Sequence, residues 1–231
     1  LGVNFSTLSK ESIVLLTQAI DSHSIFNLSN TQLLDTINYL QKFGFCKVLM
    51  GTQAYKYLSQ IIESELIKSL SDEYLTCATS IMRRSGIVSD EINSLKLADE
   101  ILQRSNSISI KCLSICINNL SRFARKTQNL IEFYENLKPV IVSRLKEITS
   151  DKDLTEIIKG YSSSYNISTN FGLILEKKAI EMYNTGLLSV KSQTILLHSF
   201  NLNKKITNSV DFINTVIPWF IPNNTSLTNI E

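Results

Sequence analysis

Glycine is scarce in this chain, with seven residues among 231, and the few glycines stand far apart. A phosphate-binding loop needs several closely spaced glycines, so this kind of nucleotide site is excluded. The sequence also lacks HExxH and GxSxG motifs and any acidic cluster that could bind a metal. Its two histidines, His23 and His198, stand alone. We therefore expect a protein that is not an enzyme, with no catalytic residue, no metal site and no cofactor.

A surplus of charge and long apolar runs are missing as well. The formal net charge is only +2, far from that of a protein that coats nucleic acid nonspecifically. Any electrostatic function must then depend on where the charges lie. No apolar run reaches the roughly 18 residues of a membrane-spanning helix, so we expect no membrane insertion. The chain starts at Leu1 without a cleavable apolar leader, which predicts a targeting segment outside this sequence.

Paired cysteine motifs are absent too. The four cysteines, Cys46, Cys77, Cys112 and Cys116, form no CxxC motif and have no histidine nearby. We expect buried free thiols, which are typical of a reducing compartment.

What the sequence does contain is a serine that recurs every 38 to 42 residues before an amphipathic segment. A second serine or threonine follows each of them 18 to 23 residues later. Such a residue caps a helix by accepting a hydrogen bond from a first-turn amide. The first caps are Ser29, Ser71, Ser109, Ser150 and Ser189, and the second are Thr52, Ser89, Thr127, Thr169 and Thr207.

This period predicts an all-α fold, an α-solenoid of about five helical hairpins. Residues 1–27 would form an N-terminal helix or incomplete hairpin, 28–222 the helical repeat array and 223–231 a frayed tail. Gly186 is predicted to end a helix in the left-handed conformation, and Pro139 to kink the helix that starts near Thr127.

Apolar residues at fixed offsets from the caps predict the buried face of each helix. In the first helices, the residue four after the cap is Leu33, Leu75, Leu113 or Leu154. In the second helices, the residue three after the cap is Tyr55, Ile92, Leu130, Gly172 or Val210. Acidic residues in first turns, such as Asp72 and Asp151, are predicted to cap helices at the positive end of the dipole.

Several segments resemble the heptatricopeptide and octotricopeptide repeats of mitochondria in apicomplexans and related protists. The segments are Leu70-Ser71-Asp72-Glu73-Tyr74-Leu75, Thr149-Ser150-Asp151-Lys152-Asp153-Leu154 and Leu130-Ile131-Glu132-Phe133-Tyr134. The resemblance implies a protein of the mitochondrial matrix that acts on organellar RNA, often within a ribosome. Several family members end in a RAP domain, a small α/β nuclease-like module. No alternating β-strand pattern follows residue 189, so we expect neither that domain nor nuclease activity here.

Basic residues gather where the two helices join in four of the five predicted hairpins, at one edge of the predicted solenoid. The fourth turn, Ser162-Ser163-Ser164-Tyr165, is neutral. A row of cations about 10 Å apart, the spacing of packed helices, could follow a phosphate backbone. The alternative is that these cations only meet the negative ends of helix dipoles. The predicted RNA-binding residues are Lys42, Lys47, Arg83, Arg84, Arg122, Arg125, Lys126, Lys204 and Lys205.

With the basic row added, the resemblance implies a structural subunit of the mitochondrial ribosome that binds RNA and protein. Its partners would be rRNA or other organellar RNA, together with neighbouring ribosomal subunits. Two alternatives stay open. One is a free organellar factor for RNA processing or stability. The other is a protein–protein scaffold or accessory subunit of another mitochondrial complex.

The C-terminal segment carries more apolar side chains than one buried helix face requires, which predicts a protein interface at Trp219 and Phe220. Burying one aromatic anchor contributes about 1.5 to 3 kcal/mol. Trp219→Ser combined with Phe220→Ser should therefore reduce incorporation into a large complex, or improve the solubility of the isolated chain. Sedimentation of the tagged protein from organelle lysate measures the incorporation. Normal assembly of the double variant, together with a monomeric isolated chain, would contradict the prediction.

Overall fold

The structure is a computed structural model that describes residues 18, 30–42, 53–85, 91–124, 127–164, 168–202, 212 and 214–216. The regular structure of these residues is helical, and they include no β-strand. This confirms the predicted all-α fold. The chain divides into two compact units, Leu1–Cys112 and Leu113–Glu231. Of the predicted terminal segments, 1–27 and 223–231, only residue 18 is described.

The first unit contains two successive helical hairpins. They are formed by α1 (Asn30–Lys42), α2 (Gln53–Glu63), α3 (Asp72–Ser85) and α4 (Glu91–Gln103), with a 3-10 turn, η1, at Glu65–Ser69. Helix α1 packs against α2 and α3, and α4 packs against α2 and α3. Each helix therefore contacts both its hairpin partner and its counterpart in the other hairpin.

The second unit begins within α5 and repeats the pattern of long helices and short connections. Its elements are α5 (Ile110–Ala124), α6 (Gln128–Ser143), a 3-10 turn η2 (Leu145–Glu147), α7 (Asp151–Ser164), α8 (Thr169–Asn184) and α9 (Val190–Leu202). Helix α7 packs against both α8 and α9. Helix α6 continues through Pro139 to Ser143. Beyond α9, the buried ring of Phe212 lies 5.5 Å from that of Phe200, centroid to centroid.

The predicted first caps mark the beginnings of the first helices. Each of α1, α3, α5, α7 and α9 begins at the residue after a predicted serine. The side-chain oxygens of Ser71, Ser109, Ser150 and Ser189 accept first-turn amide hydrogen bonds of 3.2 to 3.4 Å. Caps of this kind fix a helix start because they satisfy an amide that has no partner within the helix.

The second caps are predicted less well. Thr127 directly precedes α6, but its hydroxyl makes no capping hydrogen bond. Ser168, not Thr169, occupies the N-cap of α8, and Thr169 is already helical. Ser89 lies outside the described residues, as do the predicted second caps Thr52 and Thr207. Several polar residues compete at these starts, so the hydroxyl alone does not select the first helical residue.

The predicted apolar face is largely correct. Leu33, Leu75, Leu113 and Leu154 are at most 4% exposed. Ile92 is wrong, because its side chain is 66% exposed. With α4 starting at Glu91, the buried face of that helix lies at Asn93, Ser94, Leu97, Ala98 and Ile101, and Ile92 falls outside it.

Two further local predictions are confirmed. Gly186 ends α8 with a φ of 71°, and its neighbour Leu187 donates an amide hydrogen bond back to the carbonyl of Met182 at 2.9 Å. This six-residue closure is the glycine-terminated helix end that the sequence predicts. Cys77, Cys112 and Cys116 are buried thiols, whereas Cys46 lies outside the described residues.

Two first-turn aspartates bind the start of the second helix after their own, α5 for Asp72 in α3 and α9 for Asp151 in α7. Asp72 Oδ2 accepts the backbone amide of Ser109 at 2.8 Å. Asp151 Oδ2 accepts the amide of Ser189 at 3.3 Å and the hydroxyls of Ser189 and Ser192 at 2.6 and 2.7 Å. The capping role predicted for these carboxylates thus extends to a helix 37 or 38 residues further along the chain.

Asp151→Asn should change how stability depends on pH. The hydroxyls of Ser189 and Ser192 hold the pKa of Asp151 below its usual value of 3.8. A lowered folded pKa stabilises the fold above the unfolded pKa, and this contribution is lost as the pH falls through the folded value. The variant should lose about 1 kcal/mol at neutral pH, because the carboxylate is partly exposed and screened. The stability of the variant should also fall less steeply than that of the wild-type chain as the pH drops below about 4.

Urea unfolding over a pH series measures both effects. The exposed Asp99 of α4 provides the matched control, because Asp99→Asn removes a surface carboxylate without breaking the link to Ser189. The same pH slope in Asp151→Asn as in the wild-type chain would contradict the assignment.

Gly160 allows α7 to approach α5 closely. A Cβ atom at this position would lie 2.5 Å from Ile117 Cγ2, 2.9 Å from Ile117 C and 3.0 Å from Asn118 N. The Tyr134 hydroxyl donates to the Ile117 carbonyl at 2.5 Å, so Ile117 is also held by α6. The side chain of Ile117 is fully buried and has little room to move.

Gly160→Ala should therefore destabilise the protein, although alanine is favoured over glycine within a helix by about 1 kcal/mol. Overpacking costs about 1 to 3 kcal/mol, so the net free energy of unfolding should fall. Gly186→Ala is the control: nothing lies within 4 Å of its Cβ position, and only the positive φ of 71° is unfavourable. Thermal unfolding compares the two, and a stabilised Gly160→Ala would refute the close approach.

Candidate nucleic-acid interface

Four of the predicted RNA-binding residues lie among the described residues. Lys42, Arg83 and Arg84 belong to the first unit, and Arg122 belongs to the second. Lys47, Arg125, Lys126, Lys204 and Lys205 lie outside the described residues, as do the predicted interface residues Trp219 and Phe220.

The structure brings the basic residues of the first unit together at the last turns of α1 and α3. Arg84 Nη1 donates to the carbonyl of Gln41 at 3.1 Å, so the end of α3 lies beside the end of α1. Lys42 follows Gln41, and Arg83 shares the last turn of α3. We call the surface formed by Tyr39, Lys42, Arg83 and Arg84 the α1–α3 end surface.

Lys42 on this surface has an intramolecular partner. Its ammonium lies 2.6 Å from Glu73 Oε1, which also accepts a 2.8 Å hydrogen bond from the amide of Asn38. Glu73 raises the pKa of Lys42, while Lys42 and then Asn38 lower the pKa of Glu73. The two charged side chains are 52% and 60% exposed, so water screens this ion pair.

Arg84 partly fits the alternative explanation, in which the basic residues only meet the negative ends of helix dipoles. Its bond to Gln41 satisfies a carbonyl at the C-terminal end of α1, where cations meet the negative dipole end. A guanidinium has five N–H donors, and the bond to Gln41 uses one of them. Arg84 is an exposed residue, so a phosphate could bind donors that the bond to Gln41 does not use.

The other two basic residues differ in exposure. Arg83 is half-buried in the last turn of α3, whereas Arg122 is exposed in the last turn of α5. Arg122 belongs to the second unit. Each unit therefore presents at least one exposed arginine at the end of a first helix.

Tyr39 is a residue that the predicted RNA-binding set missed. Its side chain is 60% exposed, and the Lys42 ammonium lies over its ring at 5.8 Å from the centroid. The sequence held a signal, because Tyr39 lies six residues after the predicted core residue Leu33, a spacing that turns it away from the buried face of the helix. Residues three apart are neighbours on a helix surface, so a tyrosine three residues before a lysine can form a cation–π pair with it.

The chemistry available at this surface is binding. Exposed cations recognise phosphate, and an exposed ring can stack on a base. Within the described parts of the chain, no three His, Cys, Asp or Glu side chains are arranged to hold a metal ion. No helix among the described residues is long and apolar enough to span a membrane.

No family model, curated protein or solved structure matches this chain. The resemblance to heptatricopeptide-type repeats therefore stays a prediction from the quoted segments.

Proposed function

We propose that this chain is an α-solenoid that binds RNA as a structural, non-enzymatic subunit of the mitochondrial ribosome. The observation that carries the RNA-binding part is the contact of Arg84 with Gln41, which brings Arg84 beside Lys42 at the end of α1. Arg83 lies next to Arg84 in the last turn of α3. Residues distant in sequence are thereby brought close together, and arginine binds phosphate with two parallel N–H donors.

The solenoid part is supported by the helix neighbours within the first unit. Helices α1 and α3 pack together, as do α2 and α4, which is how successive hairpins stack in repeat proteins. The mitochondrial ribosome is proposed on the resemblance of the repeat segments, with rRNA and neighbouring subunits as partners in the matrix.

Replacing Arg83 and Arg84 together with Gln should weaken RNA binding by the full-length chain. For single strands, each lost phosphate contact should lower the slope of log affinity against log salt by about 0.7. Lys68→Gln with Lys96→Gln is the matched control, since it removes two charges from η1 and α4 of the same unit. Fluorescence anisotropy with a short oligouridylate over a salt series measures both quantities.

Glu73→Gln should act in the opposite direction. It removes the carboxylate that pairs with Lys42, so the ammonium becomes available to phosphate and RNA affinity should rise. Circular dichroism should show unchanged helicity in all of these variants. If the arginine double variant keeps both its affinity and its salt slope, the α1–α3 end surface only satisfies helix ends, and the RNA proposal fails.

A protein–protein scaffold is the second candidate, and a specific surface favours it. Leu187 and Val190 in the second unit are 53% and 67% exposed and lie close together in the chain around the start of α9. Sedimentation of the tagged chain from organelle lysate, with and without ribonuclease, separates the two. Comigration with ribosomes that is lost after nuclease supports the first, and nuclease-indifferent comigration with another complex supports the scaffold.

A further inference from the structure

Tyr39 is a large aromatic side chain that α1 presents to solvent. It is 60% exposed, whereas Ile37 and Gln41 on either side of it are buried. One exposed aromatic needs no explanation by itself. Tyr39 differs because the Lys42 ammonium lies over its ring, and because Arg84 binds the carbonyl of Gln41 in the same helical turn.

An exposed ring beside cations is the combination that binds unpaired nucleotides. A base stacks on the ring while the cations bind the neighbouring phosphates. A base inside a duplex has both faces covered, and side chains do not enter the deep, narrow major groove of A-form RNA. The geometry therefore favours a single strand over a duplex at this surface.

We propose that Tyr39 is a stacking platform for an unpaired base, so that the ligand of the α1–α3 end surface is single-stranded RNA. This inference rests on the proposed RNA-binding function and specifies the kind of RNA. The Lys42 ammonium lies 5.8 Å from the centroid on one side of the ring, and in the proposed complex the base lies on the other side. Every base has a π-face, so binding at Tyr39 tolerates different sequences.

The experiment compares Tyr39→Ala and Tyr39→Phe in the full-length chain. The probes are an oligouridylate and a blunt oligoadenylate–oligouridylate duplex of equal length. Tyr39→Ala should weaken single-strand binding about 5- to 150-fold, the range expected for one stacked base. Tyr39→Phe should keep the affinity within about twofold, because it keeps the ring. The salt slope should not change, because neither variant alters the charge.

Leu66→Ala is the matched control, since Leu66 is 50% exposed on η1 of the same unit and lies off this surface. The inference is overturned if Tyr39→Ala binds the single strand as tightly as the wild-type chain, or if it loses duplex binding to the same degree. It is also overturned if Tyr39→Ala keeps RNA affinity but loses comigration with a protein complex.

Two outcomes separate this inference from the proposed function. If Arg83→Gln with Arg84→Gln weakens RNA binding and Tyr39→Ala does not, only the stacking platform fails. If the wild-type chain binds neither probe at physiological salt, the proposed function and the platform fail together.

Discussion

In each unit, an aspartate in the first turn of one helix accepts a hydrogen bond from the residue that precedes the second helix after it. The amide at a helix start has no partner within its own helix, so it must find one elsewhere. Asp72 supplies that partner to Ser109, and Asp151 supplies it to Ser189. Apolar burial contributes most of the stability, but it tolerates sliding along a helix. A directed hydrogen bond to one amide does not, so these contacts fix the register at which successive helices meet.

The polar contacts repeat at twice the period of the caps. Asp151 lies 79 residues after Asp72. Asp72 binds Ser109, which precedes α5, and Asp151 binds Ser189, which precedes α9. The Tyr74 hydroxyl donates to Asp35 in the first unit, and 79 residues later the Ser114 hydroxyl donates to Asp153. Donor and acceptor have exchanged helices between the two pairs. These four polar contacts therefore repeat with every second cap, whereas the apolar pattern repeats with every cap.

The sequence predicted local features well and long-range partners poorly. A cap, an apolar offset or the left-handed Gly186 depends on neighbours within one or two turns, so Ser71 and Leu75 could be placed from spacing alone. The partner of Asp151 lies 38 residues away, and no local pattern selects it. Gly160 carried only the general signal of a lone glycine within a helical segment. Its reason, the backbone of Ile117, belongs to another helix.

The same division holds for the candidate interface. The basic residues could be found from their places at helix ends, but the carboxylate that binds Lys42 could not, because Glu73 lies 31 residues away. That partner changes how available the Lys42 ammonium is to a ligand. An exposed ion pair is weak and screened, so a polyanion that also releases its bound counterions can displace the carboxylate. In the proposed complex, Glu73 competes with RNA for Lys42, and it disfavours weakly charged ligands more than a phosphate backbone. Arg84 differs from Lys42, because the group it binds is the carbonyl of Gln41, which carries no net charge and competes less with phosphate. We therefore expect Arg84 to provide the stronger phosphate contact, with Lys42 joining it once a strand lies across the surface.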